Sequence, residues 1–284
     1  MIEVSAIDRL RLGDHACVVF DDDATRLRSL ATYIRAGLRE RHRILYFGGG
    51  AEEIEAELAA QGTDARRAIA DGHLRMSAPE DSYLASGSFD PQATVDGWRY
   101  ESDRARDAGY TGLRAVGDMS WASRPLPGAD RLTWYEAQVN RVFADGFAMA
   151  ICLYDRRLFT DAALRGICES HPATVAAGSD PRTVPLLRAV RTVDPPGIRL
   201  EGEADLSNRG ALQTLMDHLR EDSPDRSQPL VVDLSGLRFL DGAAARTLST
   251  AAAAGLPPMT VVGASPSMRT LLAFAGEPRT VTAP

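Results

Sequence analysis

The first part of the chain alternates short apolar runs with amphipathic stretches. Five runs have the length of strands, and most of their positions are apolar. They are ACVVF (16–20), RILYF (43–47), HLRMS (73–77), LRAVGDM (113–119) and FAMAICLYD (147–155). Strands that lack a polar alternation are typical of a parallel sheet that is buried on both faces.

The segments between these runs carry apolar residues at helical spacing. In 24–41, Leu27, Leu30, Ile34 and Leu38 recur close to the helical period, which predicts an amphipathic helix. Four more helices are predicted at 51–62, 90–109, 128–146 and 159–171. Because strands and helices alternate, we predict an α/β domain with a mainly parallel sheet and helices on both faces.

The amino-acid composition changes at 173–197, where the chain contains four prolines and several small residues. We therefore predict an N-terminal domain at 1–178, a linker at 179–188 and a smaller C-terminal α/β domain at 189–284. In the second domain the predicted strands are 197–205, 229–235 and 259–264. Helices are predicted at 207–222 and 265–276, and a turn followed by a helix at 239–255.

The composition and net charge of the chain argue against some classes of binding partner. The 284 residues are 44% hydrophobic, which is enough to build a packed core in each of two modest domains. The net charge is −7, so the molecule as a whole has no electrostatic attraction to nucleic acid or to an anionic membrane. We expect neither as a direct partner.

Targeting signals are not evident in the sequence. No run approaches about 18 apolar residues, and the N-terminal stretch lacks a basic segment followed by an apolar core. The three cysteines, Cys17, Cys152 and Cys168, are few and odd in number, so they do not form a disulfide framework. These features predict a cytoplasmic protein.

The turn after the first strand argues against nucleotide hydrolysis. A phosphate-binding loop would supply glycines, a lysine and a hydroxyl, but this chain has DDDATR (21–26) and contains no lysine. The GGG turn (48–50) follows the second strand, where Glu52 and Glu53 already satisfy the helix dipole. No G-x-S-x-G motif is present either. We predict that the protein is not an enzyme and has no catalytic residues; the alternative is a nucleotide-binding or ATP-dependent switch.

Two histidines and three cysteines could in principle bind a metal ion. Cys168 and His171 are three residues apart at a predicted helix end, but the sequence has no C-x-x-C pair. Cys17 and Cys152 lie inside strands, where cysteine behaves as a small hydrophobic residue. The sequence therefore favours no metal site, and His15 is interpreted as either a structural histidine or a ligand-binding residue.

Five motifs of the N-terminal domain, in order, resemble the MEDS domain, a sensory module of methanogen and methylotroph regulators. They are LRLGDHACVVF, GLRAVGDMSWA, WYEAQVN, CLYDRRLF and ESHP, and the resemblance spans about 10–175. It implies a RecA/KaiC-like sheet that has lost its phosphate loop. It also implies binding of a small-molecule signal, such as a hydrocarbon derivative, while the cofactor content stays unknown.

The predicted ligand-binding residues cluster near the ends of strands, where open parallel sheets bind ligands. They are His15, Tyr46, Gly48, Asp118, Trp121, Glu136, Tyr154 and Arg156. The family usually has Glu at the place of Asp118, so the carboxylate here reaches one methylene less far. The alternative is that Trp121 and Tyr154 are core residues and that Asp155 pairs with an arginine.

Three motifs of the C-terminal domain resemble the STAS family of anti-sigma factor antagonists. They are GIRLEGEADLSN, PLVVDLSGLRFLDGAAARTL and TVVGASPSMRTLLAFAG, and the resemblance covers nearly all of 189–284. It implies binding to a kinase-type anti-sigma factor through the turn at Asp241 and the helix after it. The candidate partner-binding residues are Asp205, Asp241, Gly242, Ala243 and Arg246. Asp241 and Asp205 are also suited to cap helices or turns.

The usual regulatory hydroxyl is missing from this turn. In the family a Ser or Thr directly after the aspartate accepts phosphate, whereas here Gly242 occupies that position and two alanines follow. We predict that no residue takes over as phosphoacceptor. Ser235 is expected to make a local backbone bond, and Ser249 lies about two turns into the helix.

Together these observations predict a signal-responsive regulator. The N-terminal domain would bind a small molecule, and the C-terminal domain would bind an anti-sigma factor. A scaffold that binds another partner is a further alternative, and self-association into a homo-oligomer is left open.

Overall fold

Two sheets organise the chain, and the computed structural model describes residues 7, 9–176, 186–223, 227–255 and 257–276. The strands of the first sheet are β1 (His15–Phe20), β2 (Arg43–Phe47), β3 (Leu74–Ser77), β4 (Leu113–Asp118), β5 (Ala148–Asp155) and β6 (Ala173–Ala176). The helices between them are α1 (Asp23–Arg39), α2 (Ala51–Ala60), α3 (Ala65–Ala70), α4 (Pro91–Asp107), α5 (Leu132–Phe143) and α6 (Asp161–Glu169).

The first sheet is parallel throughout, in the strand order β3-β2-β4-β5-β1-β6. Helices α1, α2 and α3 pack on one face, and α4, α5 and α6 pack on the other. The predicted fold class is confirmed. The strand β6 and the short helix α3 were not predicted, because each is too brief to establish a period.

Alternation along the central strands decides which side chains meet. His15 and Cys17 of β1, and Cys152 and Tyr154 of β5, all point to the face that carries α5. The parallel register pairs Cys17 with Cys152, so these side chains lie side by side. Polar side chains from two distant parts of the sequence therefore enter the same buried layer.

The second sheet has four strands in the order β10-β9-β8-β7. Its elements are β7 (Leu187–Val193), β8 (Pro196–Ala204), α7 (Arg209–Glu221), β9 (Leu230–Leu240), α8 (Gly242–Ala253), β10 (Met259–Val262) and α9 (Pro266–Phe274). Strand β7 is antiparallel to β8, and the other pairs are parallel. We did not predict β7, which lies within the proline-containing segment. The predicted linker at 179–188 falls outside the described residues except for its last three.

The two domains are in direct contact. The backbone N–H of Arg191 donates to the Ala144 carbonyl at 2.9 Å, and Ala144 packs into the core of the second domain. Asp222 accepts hydrogen bonds from both Arg141 and Arg191. Leu186, the residue before β7, packs against the hydrophobic core of the first domain. None of the helices in the described ranges is both long and apolar enough to cross a membrane.

Candidate functional site

The carboxyl ends of the central strands surround a cavity of about 450 Å³. Asp118 and Trp121 of the predicted ligand-binding set line this edge cavity, together with Arg26 of α1. Arg26 Nη1 lies 3.5 Å from Asp118 Oδ2, and Ser120 donates to Asp118 Oδ1 from its backbone and its hydroxyl. The cavity thus presents a carboxylate, a guanidinium and an indole in one place.

The helix that begins at this edge has no free anion site. Asp22 caps α1 by accepting a hydrogen bond from the Thr25 N–H at 2.8 Å, and hydrogen bonds from Thr25 lower the pKa of Asp22. Asp23 follows in the first turn and pairs with Arg157. Carboxylates therefore occupy the position where a phosphate would sit in a nucleotide-binding fold.

The ends of two neighbouring strands, β2 and β4, approach each other closely at Gly48. A Cβ at this position would lie 2.5 Å from the Asp118 Cβ and 2.6 Å from the Tyr46 hydroxyl. Tyr46 is buried on the α1 face and donates its hydroxyl to the Gly49 carbonyl; burial raises the pKa of Tyr46. Gly48 is thus required for close packing, and Tyr46 points away from the α5 face.

Trp121 is as much a core residue as a cavity residue. Its side chain is 3% exposed, with its ring centroid 5.4 Å from that of Tyr83 and 4.8 Å from that of Phe89. The predicted alternative for Asp155 is also observed, since Arg157 Nη2 donates to Asp155 Oδ2 at 2.7 Å. Hydrogen bonds from Arg157 lower the pKa of Asp155 despite its partial burial.

A second group of predicted residues forms a polar cluster buried between the first sheet, α5 and the end of α6. Tyr154 donates its hydroxyl to Glu136, and His15 Nε2 lies 3.5 Å from Glu136 Oε2. Cys152 and His171 complete the group. All five side chains are at most 4% exposed. His15, Glu136 and Tyr154 are therefore brought together, far from solvent.

The protonation of this polar cluster follows from burial and from Glu136. Burial, followed by the nearby His171, lowers the pKa of His15 to about 3. Burial acts in the same direction on His171, but the charge of Glu136, together with polar contacts to Glu136 and to the Ile167 carbonyl, outweighs it and raises the pKa of His171. For Glu136 burial opposes ionisation, yet the histidines outweigh it and lower its pKa. Burial raises the pKa of the Cys152 thiol.

The third candidate site is a groove of about 820 Å³ between the two domains. One wall of this interdomain groove is α6 with Arg156, and the other carries Asp205, Leu206, Phe239 and Asp241. Leu206 and Phe239 are 58% and 49% exposed. The groove therefore lies between α6 of the first domain and the turn at Asp241, which the sequence predicts to bind a partner.

The two aspartates of this groove also act as caps. Asp241 accepts from the Ala244 N–H at 2.7 Å and begins α8, and Asp205 accepts from the Ser207 N–H at 2.8 Å. Gly242 and Arg246 are exposed, and Ala243 is half-buried. The predicted cap roles are thus observed, and the remaining partner-binding candidates stay accessible.

The sequence prediction of a single ligand pocket is not what the structure presents. The eight candidates are divided among the edge cavity with the strand ends beside it, the polar cluster and the interdomain groove, where Arg156 lies. Cys152 and His171 were omitted from the ligand set, although both belong to the quoted motifs CLYDRRLF and ESHP. Their meeting depends on sheet register, which no local pattern contains.

The fold defines a class of protein: a parallel α/β domain joined, across a groove, to a small α/β domain with an exposed helix-capping turn. Residues 14–172 match the family model described as MEDS, MEthanogen/methylotroph, DcmR Sensory domain, and the chain belongs to this family. Residues 187–277 match the model described as Mlab, STAS domain. Both resemblances found in the sequence are confirmed.

Comparisons with individual proteins add little. No curated protein matches the chain. Among solved structures, a KaiC-like protein from the archaeon Pyrococcus horikoshii OT3 is 13% identical, with a TM-score of 0.39 over 67% of this chain and 79% of that one. A likeness this weak supports no statement about activity.

Proposed function

We propose that this protein is an anti-sigma factor antagonist whose sensory domain controls access to its own partner-binding turn. The observation that carries the proposal is the interdomain groove, because α6 and the turn at Asp241 form its opposite walls. A conformational change at α6 would alter what the turn can contact. Such control requires that the bound signal favour one arrangement of α6 over another.

The partner-binding surface in this proposal consists of Asp205, Leu206, Phe239, Gly242 and Arg246. Two exposed apolar side chains next to polar caps and an arginine have the composition of an interface anchor with a polar rim. Phe239 stands one residue before Leu240, the last residue of β9, and so is held by a sheet rather than by a loop. A rigid apolar anchor loses little conformational entropy on binding.

Phe239→Asp is expected to weaken binding of the full-length protein to its anti-sigma factor by at least about 10-fold. The reason is that a charge would replace the apolar anchor. Binding can be measured by calorimetry with the anti-sigma factor kinases of the same genome. Phe274→Asp is the matched control, because Phe274 is 87% exposed at the end of α9. Equal losses for both variants would contradict the assignment of this surface.

We further propose that binding is not switched by phosphorylation of the turn. Gly242 carries no hydroxyl, Ser249 is buried and donates to the Leu272 carbonyl at 3.3 Å, and Thr247 is also buried. Ser235 is exposed, but it lies in β9, six residues before Asp241, and its backbone N–H donates to Asp233. Incubation with a cognate kinase and ATP should leave residues 235–249 unmodified, as peptide mass spectrometry can establish. Phosphate on any of them would refute this part of the proposal.

The signal in this proposal is a small molecule bound in the edge cavity. The cavity has the size of small-ligand sites and combines Trp121 with Asp118 and Arg26. Native mass spectrometry of the purified protein should detect a retained small molecule, and Trp121→Phe should reduce its occupancy. If Trp121→Phe retains the small molecule at the wild-type level, the molecule is bound at a site other than the edge cavity.

We propose a sensory rather than a catalytic role for the first domain, because the carboxylates of Asp22 and Asp23 occupy the helix start beside the edge cavity. Calorimetry with ATP and Mg²⁺, followed by a phosphate-release assay, tests this role. Hydrolysis by the purified chain would replace the sensor proposal with an ATP-dependent switch.

A further inference from the structure

Four side chains of the types that bind transition metals converge in the polar cluster. Their donor atoms are His15 Nε2, Glu136 Oε2, Cys152 Sγ and His171 Nε2, and all lie within 4.8 Å of one another. The four residues are separated widely in the chain and come from β1, α5, β5 and the turn after α6. Each is at most 4% exposed.

The distances between these donors fit a tetrahedron around one ion. Zinc–ligand bonds of about 2.0–2.3 Å place neighbouring ligands about 3.3–3.6 Å apart. Glu136 Oε2 lies 3.2 Å from His171 Nε2, 3.5 Å from His15 Nε2 and 3.5 Å from Cys152 Sγ. His15 Nε2 lies 3.3 Å from Cys152 Sγ. Four of the six edges therefore have values close to those of a zinc site.

The surroundings orient both imidazoles toward the centre. His15 Nδ1 lies 2.7 Å from Asn140 Oδ1, and His171 Nδ1 lies 2.8 Å from the Ile167 carbonyl. Asn140 donates its amide hydrogens to backbone carbonyls, including that of Ser170 at 2.8 Å, so its Oδ1 must accept from His15. Each ring then carries a proton on Nδ1 and turns its Nε2 atom inward, which is the orientation of metal-binding histidines.

The inward-facing donor atoms are close together and only partly satisfied. Glu136 raises the pKa of His171, so a proton on His171 Nε2 offsets the Glu136 carboxylate when no metal ion is bound. Among the described residues, however, His171 Nε2 makes no hydrogen bond, although Glu136 Oε2 is 3.2 Å away. A cation at the centre would contact all four donor atoms at once, which a single proton cannot do.

We propose that His15, Glu136, Cys152 and His171 form a tetrahedral Zn²⁺ site. Two imidazoles, one thiolate and one carboxylate are the ligand types that Zn²⁺ prefers. Four protein ligands leave no open position, so the site is structural or regulatory rather than catalytic. Binding releases to solvent the Cys152 thiol proton and the proton that His171 Nε2 holds in the metal-free protein, and it involves no redox change.

The site would act on the groove through α6. His171 follows the last residues of α6, and Leu164 and Cys168 of the same helix line the interdomain groove. An ion bound to His171 and to two strands would hold the end of α6 on the sheet. This consequence rests on the proposed function, whereas the ion site itself does not.

The test uses the full-length chain, stripped with a chelator and titrated with Co²⁺ and then Zn²⁺ at neutral pH. We expect one equivalent of Co²⁺ to produce tetrahedral visible bands with a thiolate-to-cobalt charge-transfer band, and Zn²⁺ to displace it. Zn²⁺ should also raise the melting temperature, since it binds the folded state. Absence of the cobalt bands and of any Zn²⁺-dependent melting shift would overturn the proposal.

Two variants separate the site from a general effect on folding. Cys152→Ser should lose the charge-transfer band and at least about 100-fold in Zn²⁺ affinity, because losing even a supporting residue costs about 10–100-fold. Cys168→Ser is the matched control: it removes a nearby thiol that is not among the four donors, and it should keep the band. Circular dichroism verifies that both variants are folded. A band that disappears only in Cys168→Ser would contradict the assignment.

Discussion

Arg188→Ala is expected to lower the free energy of unfolding by about 3–5 kcal/mol, the largest loss we anticipate from a single substitution. Arg188 of β7 donates three hydrogen bonds to Asp14, from Nε to Oδ1 at 2.8 Å, from Nε to Oδ2 at 3.2 Å and from Nη2 to Oδ2 at 3.0 Å. The Asp14 side chain is 1% exposed, so removing Arg188 takes away its direct ion pair and leaves a buried carboxylate with the Arg11 backbone N–H, at 2.9 Å, as a donor. Urea denaturation of the full-length chain measures the effect.

Two further variants distinguish the buried charge from the loss of packing. Arg188→Met combined with Asp14→Asn should recover at least half of the loss, because no unpaired charge then remains. Arg199→Met removes a similar contact, from Arg199 Nε to Asp233 Oδ2 at 2.9 Å, but this arginine is 52% exposed. It should cost no more than about 1 kcal/mol. Similar losses for Arg188 and Arg199 would show that burial does not set the strength of the pair.

Gly210→Ala is expected to destabilise the protein by about 1–3 kcal/mol. Gly210 lies in the first turn of α7, and a Cβ there would stand 2.8 Å from the Glu169 carbonyl oxygen and 3.6 Å from the Ser170 Cα. Both are backbone atoms, so the end of α6 and the start of α7 would have to separate. Thermal and urea unfolding provide the measurement.

The matched control for Gly210 is Gly97→Ala in α4. Gly97 is exposed, and a Cβ there meets no atom within 4 Å among the described residues. Alanine should therefore stabilise the protein by about 0.5–1 kcal/mol through helix propensity. If Gly210→Ala stabilises equally, the two helices do not pack tightly. Because separation would open the interdomain groove, we also expect Gly210→Ala to bind the anti-sigma factor more tightly than wild type.

Much of the fold was predictable because its signals are local. The unbroken apolar run at 147–155 predicted a buried central strand, and β5 is buried at all eight positions. The aspartate before GAAAR predicted a helix start, and Asp241 caps α8. In contrast, β7 pairs antiparallel at the edge of the second sheet, within a segment whose prolines indicated a linker. Pairing with β8 outweighed that local signal.

The sites were less predictable than the fold. Trp121 and Asp118 follow one strand, so their shared position in the edge cavity follows from chain order. Cys152 was interpreted as a small hydrophobic residue because it stands in an apolar strand. His171 was not assigned as a metal ligand because the sequence has no C-x-x-C pair. Neither residue carries a spacing that connects it to Glu136, which is 16 residues from Cys152 and on another element.

The sequence by itself determined the order of most of the elements, the change of composition between the two domains, and the absence of a phosphate-loop motif and of a hydroxyl at position 242. These properties reside in contiguous residues, where periodicity, capping and side-chain chemistry act over a few positions. Only the tertiary structure brought His15 beside Cys152 and His171, and the turn at Asp241 across from α6. Sheet register and domain packing create these contacts between residues distant in the chain, so no local pattern encodes them.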